Sequence, residues 1–357
     1  MRTLADGLAQ KGDNFLLLRF LAASMVIYGH SPAITGGAAP VDVFVWMNWG
    51  TYSGSIAVDL FFIVSGFLVT GSYLRNPRLL DFAWARTIRI VPAYALCLLL
   101  TAFVLGTAFT SLPLRDYLQH PDTLGYIVRN LKFDTLMQWQ LPGVFEHNPK
   151  NAVINGSIWT LPAEVRMYVL VAALGIAGAL SWRALFNIVA LGSLVLALLY
   201  PEQTPMSNPR EYLRLAALFV AGAFCYVNRD WIPLRGSLLL ALAAMAWLWR
   251  NTPVFPFLFA LAEIAFAFWF AYNTRWRGFN RFGDYSYGIY LWGYPAQQMV
   301  AAIAGGLHSH INAVAGFIIA LAFAVVSWHA IEQPALRLKK LPDKALARWR
   351  RRAASAD

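Results

Sequence analysis

Two side chains with chemical potential stand in the first apolar stretch of the chain, Arg19 near its start and His30 at its end. They are 11 residues apart, so in a helix they share one face and lie roughly 16 Å from each other along it. A cation and an imidazole in a membrane-spanning helix are a candidate functional site. The alternatives are that Arg19 snorkels to the lipid headgroups and that His30 is an interfacial histidine.

Two carboxylates occur at a depth that corresponds to His30. Asp59 lies near the start of the second apolar stretch, and Glu164 lies in the first turns of a later one. A carboxylate that accepts a hydrogen bond from the imidazole fixes its tautomer and raises the basicity of the other nitrogen, as a general base requires. We therefore expect His30, Asp59 and Glu164 to be catalytic, with a pair formed by His30 and Asp59. The alternative for Asp59 is a helix cap at the interface.

A second group of candidates could bind a cofactor or an anionic donor. Arg86 and Arg89 are three residues apart, so they share a helical face and could clamp a phosphate between two guanidinium groups. Ordinary positive-inside anchoring is the alternative. We add Arg19 and Ser65 to this group, although close helix packing explains Ser65 and the adjacent Gly66 as well.

The composition excludes an ordinary soluble protein. Hydrophobic residues make up 59% of the 357 residues and charged residues 13%, against roughly 45–50% and 25% in soluble domains. The apolar residues fall into about ten blocks of membrane-spanning length. We expect an all-α integral membrane protein with about ten transmembrane helices, a single domain over residues 1–336 and a basic tail over residues 337–357.

The net charge of +11 is explained by topology and not by a nucleic-acid partner. With a cytoplasmic N-terminus and an even number of spans, twenty of the 29 Lys and Arg residues lie on the cytoplasmic side and seven on the other, as the positive-inside rule requires. Both termini are then cytoplasmic, in a multi-pass protein of the inner membrane whose tail lies on anionic lipid.

Cys97 and Cys225, the only two cysteines, both lie inside apolar blocks, which favours buried, inert thiols. No Cys/His cluster supports a metal site, and we predict none. The longest hydrophilic segment, over residues 111–157, is expected to carry an amphipathic helix over 117–133 and to form a partial lid on the outer side.

The apolar blocks, taken in order, resemble the membrane acyltransferase family three, whose members O-acylate cell-surface sugars, antibiotics and lipids. The resemblance covers nearly the whole chain, and the stretches that carry it are FLLLRFLAASMVIYGH, VDLFFIVSGFLVTGS, FAWARTIRIVPAYAL, SIWTLPAEVRMYVL, GDYSYGIYLWGYP and SWHAIEQPALR.

The resemblance implies roles for particular residues. Arg19 and His30 match the intramembrane Arg and His of the family, with His30 the essential catalytic residue. Arg86 and Arg89 match an arginine motif implicated in handling the acyl-CoA donor. In two further stretches, Trp159 and Glu164 match the outer-end Trp and Glu, whereas Trp292-Gly293 stands where many members have a histidine, so that histidine's role does not transfer.

These observations predict an O-acyltransferase, most simply an O-acetyltransferase. Acetyl-CoA or another acyl-CoA would bind from the cytoplasm, and His30 would act on the hydroxyl of a carbohydrate or glycolipid acceptor, as general base or as nucleophile. Two other classes stay open at this point. One is a transporter or flippase for a lipid-linked glycan, and the other is a scaffold subunit of an envelope-polymer machine. The acceptor and the oligomeric state are not predicted.

Overall fold

The computed structural model describes residues 2–37, 41–150, 152–199, 209–274, 276–305 and 307–341. Within these ranges the chain is helical, and its extended residues form only isolated bridges between Thr3 and Pro233 and between Thr110 and Val144. The predicted all-α class is confirmed. Most of the predicted basic tail, residues 342–357, lies outside the described residues.

Ten long helices, numbered here in chain order, build the described structure. They are α1 (Phe15–Ile34), α2 (Ser53–Arg75), α3 (Leu79–Leu100), α4 (Leu161–Ile176), α5 (Arg183–Leu199), α6 (Pro209–Val227), α7 (Gly236–Leu248), α8 (Phe255–Asn273), α9 (Ser286–Ile303) and α10 (Ser309–Ser327). Shorter helices are Leu4–Leu8, Val43–Trp46, Gly106–Phe109, Leu114–Gln119, Pro121–Asn130 and Gln333–Arg337, with 3-10 turns at Gly156–Thr160, Arg277–Arg281 and Leu338–Lys340 and π turns at Thr101–Leu105 and Trp328–Glu332.

Six helical stretches of the described chain are long and apolar enough to cross a membrane. They are Phe15–Ile34, Ser53–Arg75, Leu79–Phe109, Gly156–Ile176, Phe255–Asn273 and Ser309–Arg337. The chain is therefore a multi-pass membrane protein.

Contacts between the helices define two ends of the bundle. Helices α1 and α2 are antiparallel, because Phe15 packs on Phe67 with ring centroids 6.0 Å apart while Gly29 meets Gly54. We call the end near Phe15 the arginine end, since Arg19 lies there, and the other the histidine end. Helix α9 runs parallel to α1, and α10 returns antiparallel to α9. Helix α1 therefore starts at the arginine end and α10 finishes there.

Helices α2 and α6 approach each other through two glycines. A Cβ atom at Gly66 would overlap the carbonyl oxygen of Phe219, and one at Gly222 would overlap the carbonyl oxygen of Ile63. Such small residues let the backbones of membrane helices touch. This contact decides which face of α2 is turned toward α6.

The predicted amphipathic helix over 117–133 is observed as two helices, Leu114–Gln119 and Pro121–Asn130. The break comes at His120, whose extended backbone (φ −66°, ψ 131°) is the conformation that a following proline favours. The buried Tyr117 hydroxyl donates to the Ala102 carbonyl oxygen at 2.6 Å, which fixes the segment against the start of the π turn after α3.

Candidate active site

A cavity of about 120 Å³ lies among α1, α2, α3, α4 and α9. Its lining includes five of the residues that the sequence singled out: Arg19, Ser65, Arg86, Arg89 and Glu164. We call it the arginine cavity. Apolar side chains of α2 form much of the remaining wall, so the charged groups face a space with little other polarity.

A carboxylate just before α9 holds two of these arginines. Asp284 Oδ2 accepts from Arg19 Nη1 at 2.7 Å and from Arg89 Nη2 at 2.5 Å, and Asp284 Oδ1 accepts from the Ser286 hydroxyl at 2.5 Å. Burial alone would raise the pKa of this carboxyl, but the two guanidinium groups and the serine hydroxyl hold the pKa well below its usual range. Arg19 thus pairs within the bundle and does not snorkel alone.

The two-pronged phosphate clamp of Arg86 and Arg89 stays a prediction. The two residues do share a face of α3, as their spacing predicts, but Arg89 is engaged by Asp284 and also lies 3.6 Å from Glu332 Oε2. These carboxylates neutralise Arg89 and fix its position. Arg89 therefore links α3 to the start of α9, through Asp284, and to the segment just after α10, through Glu332.

Arg86 is the cation of the arginine cavity that has no carboxylate partner among the described residues. Its Nε is buried without a hydrogen bond, its Nη2 is 3.5 Å from the Ser72 hydroxyl, and its guanidinium lies over the Tyr168 ring at 5.6 Å. The Tyr168 hydroxyl donates to Glu164 Oε1. An anion that enters the cavity would meet an uncompensated charge at Arg86.

A second, more open cavity of about 730 Å³ lies at the histidine end. Its lining includes His30, Trp159, Tyr294, Tyr52 and Lys150. The His30 ring packs edge-on against Tyr294 with centroids 5.2 Å apart, and its Nδ1 is buried without a partner. We call this space the histidine cavity. Its imidazole is not engaged by any protein hydrogen bond in the described chain.

The expected pair of His30 and Asp59 is wrong. Asp59 instead forms an ion pair with Arg214 on α6, which also pairs with Glu211 at 2.7 Å. Helix geometry gives the reason. Gly54 faces α1, and Asp59 is five residues further on, about 140° around the helix, whereas Asp59 and Gly66 are seven residues apart and share the face toward α6.

A hydrogen-bonded contact separates the two cavities. The Tyr290 hydroxyl donates to the Ser157 carbonyl oxygen at 2.6 Å and accepts from the Thr160 hydroxyl at 2.5 Å. Thr160 and Tyr290 line the arginine cavity, whereas Trp159 and Tyr294 line the histidine cavity. We call this contact of Tyr290, Thr160 and Ser157 the partition. Thr160 and Trp159, which line different cavities, are adjacent in the chain, and Tyr290 and Tyr294 are one helical turn apart on α9.

Two residues of the site escaped the sequence analysis. Asp284 had a signal, because it is the only acidic residue between Glu263 and Glu332. No sequence signal marked Tyr290, because the tyrosines of that stretch are equally typical of an interfacial belt. Trp292, the position of the family's additional histidine, stacks on Phe323 at 4.5 Å and lines neither cavity.

Cys97 and Cys225 are free and buried, as predicted. Across the described ranges, no group of three or more His, Cys, Asp or Glu residues gathers in the way that metal ligands do.

Comparisons with known proteins indicate the family of the chain. A family profile described as an acyltransferase domain matches residues 14–329. The chain is 28% identical over 301 residues to an O-acetyl transferase of Shigella phage Sf6, covering 81% of this chain and 86% of that protein. It is also 28% identical over 362 residues to nodulation protein 10 of Rhizobium leguminosarum bv. viciae, covering 92% and 94%. No solved structure matches.

Proposed function

Because the chain belongs to the membrane acyltransferase family three, we propose that it moves an acyl group, most simply acetyl, from cytoplasmic acyl-CoA to a hydroxyl of a sugar or lipid-linked glycan. That the chain is an acyltransferase follows from its family and from the similar O-acetyl transferase. The donor, the acceptor and the roles of the residues are the proposal.

One observation carries the proposal. Arg19 and His30 both face α9 but line different cavities, one with a buried uncompensated guanidinium and one with an unengaged imidazole. The guanidinium suits an anionic donor, and the unengaged imidazole suits a neutral hydroxyl that must lose its proton. The partition joins residues that line the two cavities.

The membrane arrangement belongs to the same proposal. All ten long helices would span the inner membrane, with the arginine end and both termini in the cytoplasm. The excess of Lys and Arg residues expected on that side supports this orientation. The donor cavity then faces the compartment that contains acyl-CoA.

The donor would enter the arginine cavity with its thioester arm. Arg86 supplies a positive charge for the phosphate groups, because Arg19 and Arg89 are already paired with Asp284. Ser65 and the apolar wall of α2 would contact the arm. The acyl carbonyl would have to pass the partition to reach the imidazole.

His30 would act on the acceptor hydroxyl in the histidine cavity. As a general base it removes the hydroxyl proton while the oxygen attacks the thioester carbonyl, so that a C–O bond forms, the C–S bond breaks and the proton passes to the thiolate. As a nucleophile it would carry the acyl group first. In either route Glu164, next to Tyr168 in the arginine cavity, would relay the proton that the imidazole gives up to the leaving thiolate.

Asp59 would stabilise the contact of α2 with α6 rather than orient His30, since its carboxylate is engaged by Arg214. The sugar would stack on aromatic side chains, for which Trp159, Tyr52 and Tyr294 are available in the histidine cavity.

The proposal is tested by thiol release from acetyl-CoA with the purified protein, with and without candidate glycans. We expect acceptor-stimulated release by the wild type and none by His30→Ala. His310→Ala is the matched control, because this imidazole also lies at the histidine end but lines neither cavity. Normal turnover by His30→Ala would refute the mechanism, and movement of a glycan without thiol release would favour transport.

A further inference from the structure

A third cavity, of about 360 Å³, lies at the arginine end and apart from the two already described. Three arginines from three helices line it: Arg75 at the end of α2, Arg183 at the start of α5 and Arg229 just after α6. We call it the triple-arginine cavity. Tyr226 contacts two of these arginines. Arg75 Nη1 donates to the Tyr226 hydroxyl at 3.4 Å, and the Arg229 guanidinium lies 4.8 Å from the centroid of its ring.

The charge of this cavity is not balanced by the residues that the structure describes. Arg183 pairs with Asp230 at 2.8 Å, but Arg75 and Arg229 form no ion pair within the described part of the chain. Positive-inside anchoring explains arginines at this depth. It does not explain why two uncompensated guanidinium groups converge on one tyrosine, because like charges held close together repel.

The segment after α10 extends this charge toward the arginine cavity. Trp84 Nε1 donates to the Leu338 carbonyl oxygen at 3.0 Å, which holds the segment against α3. The next residue is Lys339, whose pKa is lowered by partial burial and by the neighbouring charges of Arg86 and Arg75. The Trp84 contact thus holds Lys339 beside α3, on which Arg86 follows two residues after Trp84.

We propose that Arg86, Lys339, Arg75 and Arg229 form a basic track that binds phosphate groups, and that its ligand is the nucleotide end of the acyl donor. The inference rests on the proposed function for the identity of the donor. The pantetheine arm of acyl-CoA is neutral and would enter the largely apolar arginine cavity, whereas its diphosphate and 3′-phosphate carry the negative charge. Arginine and lysine side chains from separate elements are the usual partners of such groups.

The track reaches beyond the part of the chain that the family profile matches, which ends at residue 329. Lys339 is therefore a candidate binding residue outside the matched part, whereas the triple-arginine cavity lies within it. A lipid headgroup has the same phosphate chemistry and is the competing source of ligand.

The test compares two donors in variants of the full-length protein. Arg229→Gln and Lys339→Gln are expected to raise KM for acetyl-CoA about tenfold each, the effect of losing roughly 1.4 kcal/mol from a charged hydrogen bond. Neither is expected to change kcat, or either constant for S-acetyl-pantetheine, which has no phosphate. Arg235→Gln is the control, because it removes a cation of the same end that lines neither the track nor its cavity.

Direct binding of CoA and of adenosine 3′,5′-bisphosphate to the same proteins separates this inference from the proposed function. If the wild type binds neither, the acyl-CoA donor itself is refuted. If wild type and variants bind both equally, the track is refuted while the donor stands. If a variant loses activity equally with acetyl-CoA and with S-acetyl-pantetheine, its site is misfolded, and that result would also overturn the assignment.

A lipid arm completes the test. Each protein is placed in nanodiscs of phosphatidylcholine alone or with phosphatidylglycerol, and its melting temperature is measured. If phosphatidylglycerol stabilises the wild type but not Arg229→Gln, and CoA binding is unchanged, the phosphate belongs to a lipid and the donor assignment is overturned.

Discussion

Asp284 pairs with both Arg19 and Arg89 through a single carboxylate oxygen. The side chain is 15% exposed, so the two guanidinium groups would remain largely buried without a counter-charge if it were lost. Removing one partner from a buried ionic group costs about 3–5 kcal/mol. The arginine cavity therefore depends on a residue that does not line it.

Asp284→Asn is expected to lower the free energy of unfolding by about 3 kcal/mol or more. The control is Asp81→Asn, whose partner Arg78 has a half-exposed side chain, and which should cost less than about 1 kcal/mol. Thermal unfolding in detergent measures both. Equal melting temperatures of wild type and Asp284→Asn would contradict the linking role.

The same carboxyl gives a pH dependence of known sign. Because its folded-state pKa is lowered, its contribution to stability is present above the unfolded value, about 4, and is lost only as the pH falls through the lower folded value. The difference in melting temperature between wild type and Asp284→Asn should therefore stay constant from neutral pH down to about pH 4.

The partition makes a separate prediction for the Tyr290 hydroxyl. Tyr290→Phe keeps the ring but loses both hydrogen bonds, and Thr160→Val loses one of them. Losing about 1 kcal/mol from the closed state opens the partition about fivefold more often. Water from the histidine cavity then reaches the thioester.

We expect the ratio of acceptor-independent to acceptor-dependent thiol release to rise about fivefold in Tyr290→Phe. Tyr117→Phe is the matched control, because its buried hydroxyl donates to a carbonyl oxygen at 2.6 Å away from both cavities. An unchanged ratio in both Tyr290→Phe and Thr160→Val would exclude a gating role for the contact.

At the scale of the helices, the contact of α2 with α6 orients the site. Gly66 faces α6, so Ser65, one residue before it, is turned toward the arginine cavity, and Asp59 is turned toward Arg214. A side chain at Gly66 would push the two helices apart and rotate or shift these groups together.

Gly66→Ala is expected to destabilise the protein by about 1–3 kcal/mol, since its methyl group overlaps a backbone oxygen. Gly192→Ala is the control, because nothing lies within 4 Å of its Cβ position and alanine favours a helix over glycine. Thermal unfolding of the two variants should give shifts of opposite sign. A neutral Gly66→Ala would mean that the helices adapt freely.

Helical spacing predicted which residues share a face, but it could not predict which distant residues they pair with. The shared face of Arg19 and His30 follows from 11 residues at about 100° each, and both indeed face α9. The partner of Asp59 was missed because it depends on α6, more than 150 residues away. Tyr290 was missed for the same reason, since its hydroxyl finds Ser157 and Thr160 only in the folded bundle.

For the whole molecule, the proposed orientation predicts which surfaces are accessible from each side of the cell membrane. Leu136, in the segment that follows α3, and Leu80, at the arginine end of α3, are both 78% exposed. The native thiols are buried, so single cysteines at these positions report alone.

Leu136→Cys is expected to react with a membrane-impermeant maleimide on intact spheroplasts, and Leu80→Cys only after lysis. Mass-tagged gels measure the labelled fraction. The reverse pattern would invert the topology and with it the side on which the donor binds, whereas labelling of both in intact cells would point to a leaky preparation.

The narrow partition between the two cavities also bears on the energy metabolism of the cell. A membrane that sustains a proton-motive force does not tolerate a continuous column of water through one of its proteins. With Tyr290 closed on Ser157 and Thr160, an acyl group could be relayed across while ions are not conducted. A variant with a small residue at position 290 would then act as an uncoupler, and its expression would slow growth by dissipating the membrane potential even when no acceptor is present.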